Sequence, residues 1–301
     1  MSIKDKLNIL FQAARPKTLP ASIGPVIIGL SVARYNEHTV DILVAILTLL
    51  CALLLQISSN FINDYYDGLK GIDSNERLGP TRVTSTGQIA PSFMKRAFLI
   101  SLSLSFCCGL YLMYKGGIVI TSIGLLSILF SYLYTGGPFP LSYFALGELL
   151  AFIFYGPVAV VGTYYLQAGE FNLIALLMGS SLGFISSALM GINNLRDYDS
   201  DGKTKKITIA LILGKKAMRF LIIFFIILSQ APQVYLIAVK GLPIYFIITL
   251  ITPVLFIKTW KAILCEQISQ TFNIYLANTG KYLFVSSLLM TILFTYESTI
   301  R

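Results

Sequence analysis

Charge is what this sequence has least of. Of its 301 residues only 12% are Asp, Glu, Lys or Arg, about half the share of a soluble globular chain. A chain of this size in water needs far more polar surface than that, which excludes a disordered chain and argues against a soluble enzyme. Histidine is nearly missing too, with His38 alone. The four cysteines (Cys51, Cys107, Cys108 and Cys265) lie in or beside apolar stretches and show no CxxC spacing, which suggests neither a zinc site nor a disulfide framework. The N-terminal run MSIKDKLNILFQAARPK lacks the apolar core and small-residue cleavage site of a signal peptide.

What the chain has instead is apolar length. Hydrophobic residues make up 55% of it and the mean hydropathy is +0.75, the composition of a polytopic, all-α integral membrane protein. A window of about 20 apolar residues finds nine candidate spans, near 19–34, 41–62, 97–114, 117–134, 142–165, 172–194, 219–238, 243–257 and 280–296. With the N-terminus placed in the cytoplasm, 19 of the 23 Lys and Arg residues fall on the cytoplasmic side, and Arg34, Lys115, Lys240 and Arg301 on the other. That asymmetry follows the positive-inside rule. It also accounts for the net charge of +9 without a nucleic-acid partner.

The acidic residues share the asymmetry, although no topology rule requires it. Nine of the 14 fall on the cytoplasmic side, and six of those are aspartates in two short segments. One is NFINDYYDGLKGID (60–73), after the second span; the other is NNLRDYDSDGKTKK (193–206), after the sixth. If the helix continues a turn past the membrane, Asn60, Asn63, Asp64 and Asp67 share a face, as do Asn193, Asn194, Asp197 and Asp201. Carboxylates stacked at a helix C-terminus oppose the macrodipole and become favourable around a divalent cation. The repetition of this layout about 130 residues apart points to two pseudo-symmetric halves.

All-oxygen ligands suit magnesium, calcium or manganese rather than zinc or copper. DYDSDG opens like an EF-hand loop, but Thr208 stands where the bidentate glutamate belongs and Lys205 at the ninth position, so that reading fails. Magnesium held by few carboxylates usually completes its shell with substrate phosphates. Basic residues stand nearby to meet an anion: Arg15 and Lys17, Arg77 and Arg82, then Arg196, Lys203, Lys205 and Lys206. Acids and bases on one membrane face read as a metal–diphosphate site opening into the bilayer. A divalent-cation transporter is the reading from another class, but it should carry its ligands near the bilayer midplane.

These residues resemble the UbiA superfamily of intramembrane aromatic prenyltransferases, whose two aspartate-rich motifs have the forms NDxxDxxxD and DxxxD. Here they stand as Asn63-Asp64-x-x-Asp67 and Asp197-x-x-x-Asp201. Four stretches (ARPKTLPASIGPVIIG, LLQISSNFINDYYDGLKGID with RLGPTRVTSTGQI, GPFPLSYFALGE, and NNLRDYDSDGKT with TIALILG) look most like the branch that prenylates 1,4-dihydroxy-2-naphthoate in menaquinone biosynthesis. The third aspartate of the first motif would fall on Gly71, with Asp73 as the stand-in, and residues 116–147 carry no charge.

The resemblance implies one transmembrane prenyltransferase domain over residues 1–301, with nine helices in two similar halves, in a bacterial-type cytoplasmic membrane with its site facing the cytoplasm. It implies Mg²⁺-dependent transfer of a polyprenyl chain from its diphosphate to the naphthoate, with decarboxylation; 4-hydroxybenzoate or an isomeric naphthoate is the alternative acceptor. Asp64, Asp67, Asp197 and Asp201 are expected to hold about two Mg²⁺ ions through the diphosphate, with Asn63, Asn194 and Asp73 assisting. Arg82, Lys203 and Arg15 are the expected diphosphate clamps. Glu148, the one acid inside a candidate span, is a functional candidate because an intramembrane carboxylate is costly. Tyr143 is a candidate for the acceptor pocket. Membrane lipids are the expected surroundings.

Overall fold

Helix dominates the computed structural model, which describes residues 2–69, 78–80, 82–204 and 206–301. A short amphipathic helix, α1 (Ile3–Ala13), is closed at its start by a capping box between Ser2 and Asp5. It leaves Leu7 and Phe11 exposed, as a helix lying in the membrane interface does. The membrane helices follow as α2 (Pro20–Tyr35), α3 (Ile42–Leu69), α4 (Pro91–Leu133), α5 (Gly147–Tyr155), α6 (Pro157–Ala168) and α7 (Leu173–Arg196). After the small α8 (Tyr198–Asp201) come α9 (Ile209–Leu228), α10 (Ala231–Ala238), a 3-10 stretch at Ile244–Phe256, α11 (Ile257–Cys265) and α12 (Phe272–Ile300). Among the described residues the β pairing is one isolated bridge between Phe144 and Ile207.

Large side chains point outward along most of these helices, Tyr114, Ile118 and Ile244 among them. Apolar exposure on this scale is expected of a surface covered by lipid. The interior is built around α7, where Met178, Leu182, Ile185, Ile192 and Leu195 are fully buried at helical spacing. Its opposite stripe is small. A Cβ on Gly179 would lie 2.8 Å from the Pro157 Cα, and one on Gly183 would lie 2.7 Å from the Phe152 carbonyl oxygen. The pair Gly179-x-x-x-Gly183 thus lets α7 touch the α5–α6 junction backbone to backbone, the usual device where helices cannot rely on a hydrophobic effect between them.

Seven helical stretches among the described residues are long and apolar enough to cross a membrane, against nine spans read from sequence. The difference lies in two places. The helix α2 has 16 residues, short of the length required. The 43-residue α4 is interrupted at Gly117 (φ 59°, ψ −148°), a conformation essentially confined to glycine. The Met113 Cε lies only 2.8 Å from where a Gly124 Cβ would be, although those residues would be about 16 Å apart in a continuous helix. The chain therefore folds back at Gly117 into two antiparallel segments. A second departure concerns the segment before the seventh sequence-derived span: helix α9 already begins at Ile209, bent at Gly214.

Candidate functional site

The first acidic motif rides on the last two turns of α3, which does extend past the apolar run to Leu69. Asn60, Asn63 and Asp67 face a cavity of about 790 Å³ within the bundle. Asp64 does not line it. Its carboxylate turns to the segment after the first motif and accepts from the Val83 amide (3.1 Å), the Thr84 amide (2.9 Å) and the Thr84 hydroxyl (2.6 Å). Gly68 permits this approach, since a Cβ there would sit 2.9 Å from the Thr84 Cβ. The anchored turn carries Arg82 to Asp67, where the guanidinium and carboxylate meet at 2.6 Å.

The second motif enters the same cavity from α7. The helix ends at Arg196, Asp197 caps it, and α8 turns Asp201 back inward. Asn193, Asn194, Asp197 and Asp201 all line the wall. Arg196 forms a fork with Asp197 (2.8 and 2.7 Å) and also donates to Asn193 and Asn273. Lys206 binds Asp201 at 2.8 Å. Burial pushes the Asp201 carboxyl above the usual aspartate range, against the pull of Lys206. Two backbone bonds, from the Ala145 amide to the Ile207 carbonyl and from the Ile207 amide to the Tyr143 carbonyl, tie the loop before α5 to the segment after the second motif. They hold Tyr143 over the acids; burial and then the charges of Asp67 and Asp201 push its phenol up to about 12.

Arg15, from the turn between α1 and α2, is the fourth cation on this wall. Its backbone is left-handed (φ 52°), an uncommon and costly state for a residue with a side chain. That conformation directs its guanidinium to the Asn63 carbonyl oxygen at 3.1 Å. Among the described residues, three buried carboxylates thus face one end of the cavity together with Arg15, Arg82, Arg196 and Lys206. An excess of positive charge within low-dielectric walls favours an anionic ligand. Away from this end the wall is apolar, formed by residues such as Leu112, Ile120, Ile123 and Leu166. A polar pair, Gln56 and Tyr155, hydrogen-bonds partway along it.

The sequence-derived candidates divide as follows. Asn63, Asp67, Arg15, Arg82, Tyr143, Asn194, Asp197 and Asp201 converge on the cavity. Asp64 and Glu148 lie buried behind its wall, and Lys203 is exposed, its place on the wall taken by Lys206. Asp73 lies outside the described residues. Asp199 of the second motif points away, paired with Lys215 at 2.7 Å. Asn273, at the start of α12, was not legible as a site residue: it binds Arg196 and the Leu78 carbonyl, and no spacing in that apolar last third signals it.

The donor set suits a hard divalent cation. It offers carboxylate and amide oxygens, while His38 sits far off beside Tyr164 and Glu170. Among the described residues no three of His, Cys, Asp and Glu form a ready cage. Magnesium binds through one or two carboxylates plus substrate phosphates rather than in an all-protein cage.

The chain is similar to several known proteins. Over 241 residues, covering 78% of each chain, the sequence is 35% identical to the 1,4-dihydroxy-2-naphthoate octaprenyltransferase of Haemophilus influenzae. It is 38% identical over 213 residues to the enzyme of that name from Escherichia coli, covering 68% of each chain. The fold is shared with a UbiA homolog from Aeropyrum pernix (TM-score 0.69, 13% identity, 91% of this chain and 98% of that one). It is also shared with one from Archaeoglobus fulgidus bound to GPP and Mg²⁺ (TM-score 0.64, 14% identity, 97% and 99%). The model of the UbiA prenyltransferase family matches residues 22–293, and the chain belongs to that family.

Proposed function

We propose that the protein transfers a polyprenyl chain from polyprenyl diphosphate to 1,4-dihydroxy-2-naphthoate, with loss of the ring carboxylate, giving demethylmenaquinone. The observation that carries this is one cavity charged at one end with paired acids and bases and apolar along the rest, within a membrane protein. A diphosphate with an apolar tail has the same division. The naphthoate assignment rests on the relatives named for that activity.

Magnesium is the proposed cofactor; when bound it offsets the negative charge that develops on the leaving diphosphate. Asp67, Asp197 and Asp201 would hold it, with the carbonyl oxygens of Asn63 and Asn194. Each of those carboxylates pairs with a side-chain cation at 2.6–2.8 Å. With those carboxylates engaged by a metal, Arg82, Arg196 and Lys206 would be in place to bind phosphate oxygens. Arg15 adds a fourth cation beside Asn63. Asp64 serves by fixing the turn that carries Arg82. Water exclusion by the apolar wall strengthens every one of these interactions. Tyr143, held over the acids with its proton retained, is placed to hydrogen-bond the aromatic acceptor. The active face is assigned to the cytoplasmic side of a bacterial-type cytoplasmic membrane, where the Lys and Arg residues concentrate.

The test uses proteoliposomes of the full chain with octaprenyl diphosphate and either 1,4-dihydroxy-2-naphthoate or 4-hydroxybenzoate, with and without Mg²⁺. Magnesium-dependent prenylation of the naphthoate is expected. Preference for 4-hydroxybenzoate would replace the acceptor, and no prenylation of either would remove the enzymatic reading.

A further inference from the structure

Glu148 is 1% exposed at the start of α5, and burying a carboxylate in a membrane bundle needs a reason. It is not on the cavity wall, but its neighbours Gly147 and Asn194 are. One carboxylate oxygen, Oε1, accepts from the Asn194 Nδ2 at 3.0 Å; the other, Oε2, has no hydrogen-bond partner among the described residues. Its backbone is fixed as well, because the Ser187 hydroxyl donates 2.8 Å to the Glu148 carbonyl, stapling α5 to α7 one helical stretch before the second motif.

An asparagine amide is ambiguous by itself: either the oxygen or the nitrogen can face a site. A carboxylate oxygen placed behind Asn194 removes the ambiguity, since it accepts and the nitrogen must turn to it. The amide is planar, so its carbonyl oxygen is then turned away from Glu148, on the residue that lines the wall beside Asp197 and Asp201. The first motif shows the same device. Asn63 donates its Nδ2 to the Thr135 hydroxyl at 3.3 Å, and its carbonyl oxygen is the acceptor for Arg15 on the cavity side. In both halves an acceptor behind the wall commits the amide nitrogen and leaves oxygen for the site.

We propose that Glu148 is a positioning residue that sets the amide of Asn194 so that its carbonyl oxygen, not its nitrogen, is presented to the divalent cation bound at Asp197 and Asp201. This deepens the magnesium reading given above and rests on it. The role needs an acceptor oxygen at Glu148 and not its negative charge, which separates it from proton transfer to or from the substrate. Outer partners of this kind affect metal affinity by about 10–100-fold.

The experiment measures Mn²⁺ binding to the purified full chain by electron paramagnetic resonance, with inorganic diphosphate as the probe anion and no prenyl substrate. Glu148→Leu keeps the volume and removes the acceptor; Glu148→Gln keeps an acceptor oxygen and removes the charge. Mn²⁺ affinity is expected to fall at least tenfold in the leucine variant and to recover at least tenfold in the glutamine variant relative to it. In an Asn194→Ala background, which lacks the amide to be positioned, Glu148→Leu is expected to change the affinity less than twofold. That background keeps the idea testable if the single leucine variant folds poorly, and thermal melting in detergent reports folding separately. Equal loss in the glutamine and leucine variants would overturn the proposal, as would wild-type Mn²⁺ affinity in Glu148→Leu. If wild-type protein binds Mn²⁺ but prenylates nothing, the enzymatic reading fails while the positioning result stands.

Discussion

Replacing Asp64 by alanine separates two roles that the first motif leaves entangled in sequence. The structure gives this carboxylate three hydrogen bonds from Val83 and Thr84 and no place on the cavity wall. Bonds to a charged group are worth about 1.5–3 kcal/mol each. If water replaces one of the three, the turn loses about 4 kcal/mol of anchoring, close to a thousandfold in its bound-to-released ratio at 1.4 kcal/mol per decade. Arg82 rides on that turn, so its reach to the diphosphate loosens with it. Asp64→Ala is therefore expected to raise the KM for prenyl diphosphate at least tenfold and to expose the Val83 and Thr84 amides to hydrogen exchange. The Mg²⁺ concentration for half-maximal activity should change less than threefold, since Asp67, Asp197 and Asp201 remain. Steady-state kinetics in proteoliposomes and exchange mass spectrometry read the two arms. If Mg²⁺ half-activation shifts tenfold while those amides stay protected, Asp64 is a metal ligand and the anchoring argument is wrong.

Asp197→Asn and Asp201→Asn should each lower kcat by a factor of about 100 or more, because an electrostatic group lost at the leaving charge costs about that much; single-turnover assays check this, and chelation of the wild type should match it. Arg82→Ala should weaken substrate binding more than turnover, read as a larger change in KM than in kcat. Gly117→Ala forces a Cβ into a conformation that glycine alone tolerates, and should cost about 1–3 kcal/mol, seen as a lower melting temperature in detergent. Gly183→Leu should separate α7 from α5, since even a Cβ there meets the Phe152 carbonyl oxygen at 2.7 Å. A loss of folded yield with no soluble intermediate is the expected reading.

The membrane class and the two acidic motifs were legible because both are one-dimensional signals. A bilayer demands long uncharged runs, and a helix places residues three and four apart on one face, so the grouping of Asn193, Asn194, Asp197 and Asp201 followed from spacing. Nothing in spacing alone could tell that Asp64, one residue after Asn63 on the same helix end, faces a returning turn instead of the cavity. That depends on Gly68 admitting Thr84 at close range, a contact between segments distant along the chain. The reversal at Gly117 was invisible for a related reason: an apolar run reads the same whether it continues or doubles back, and one glycine's backbone angles decide it.

The sequence by itself determined that the chain lives in a membrane, that it belongs with the intramembrane prenyltransferases, and that its aspartates gather in two short segments. Those follow from composition, periodicity and motif, which survive without coordinates. Tertiary structure alone decided the pairing of Asp67 with Arg82, of Asp201 with Lys206 rather than Lys203, and of Glu148 with Asn194. Pairing depends on where helix ends meet and which side chain of a loop turns inward. In a low-dielectric interior that choice carries the energy, because a buried charge without its partner is costly.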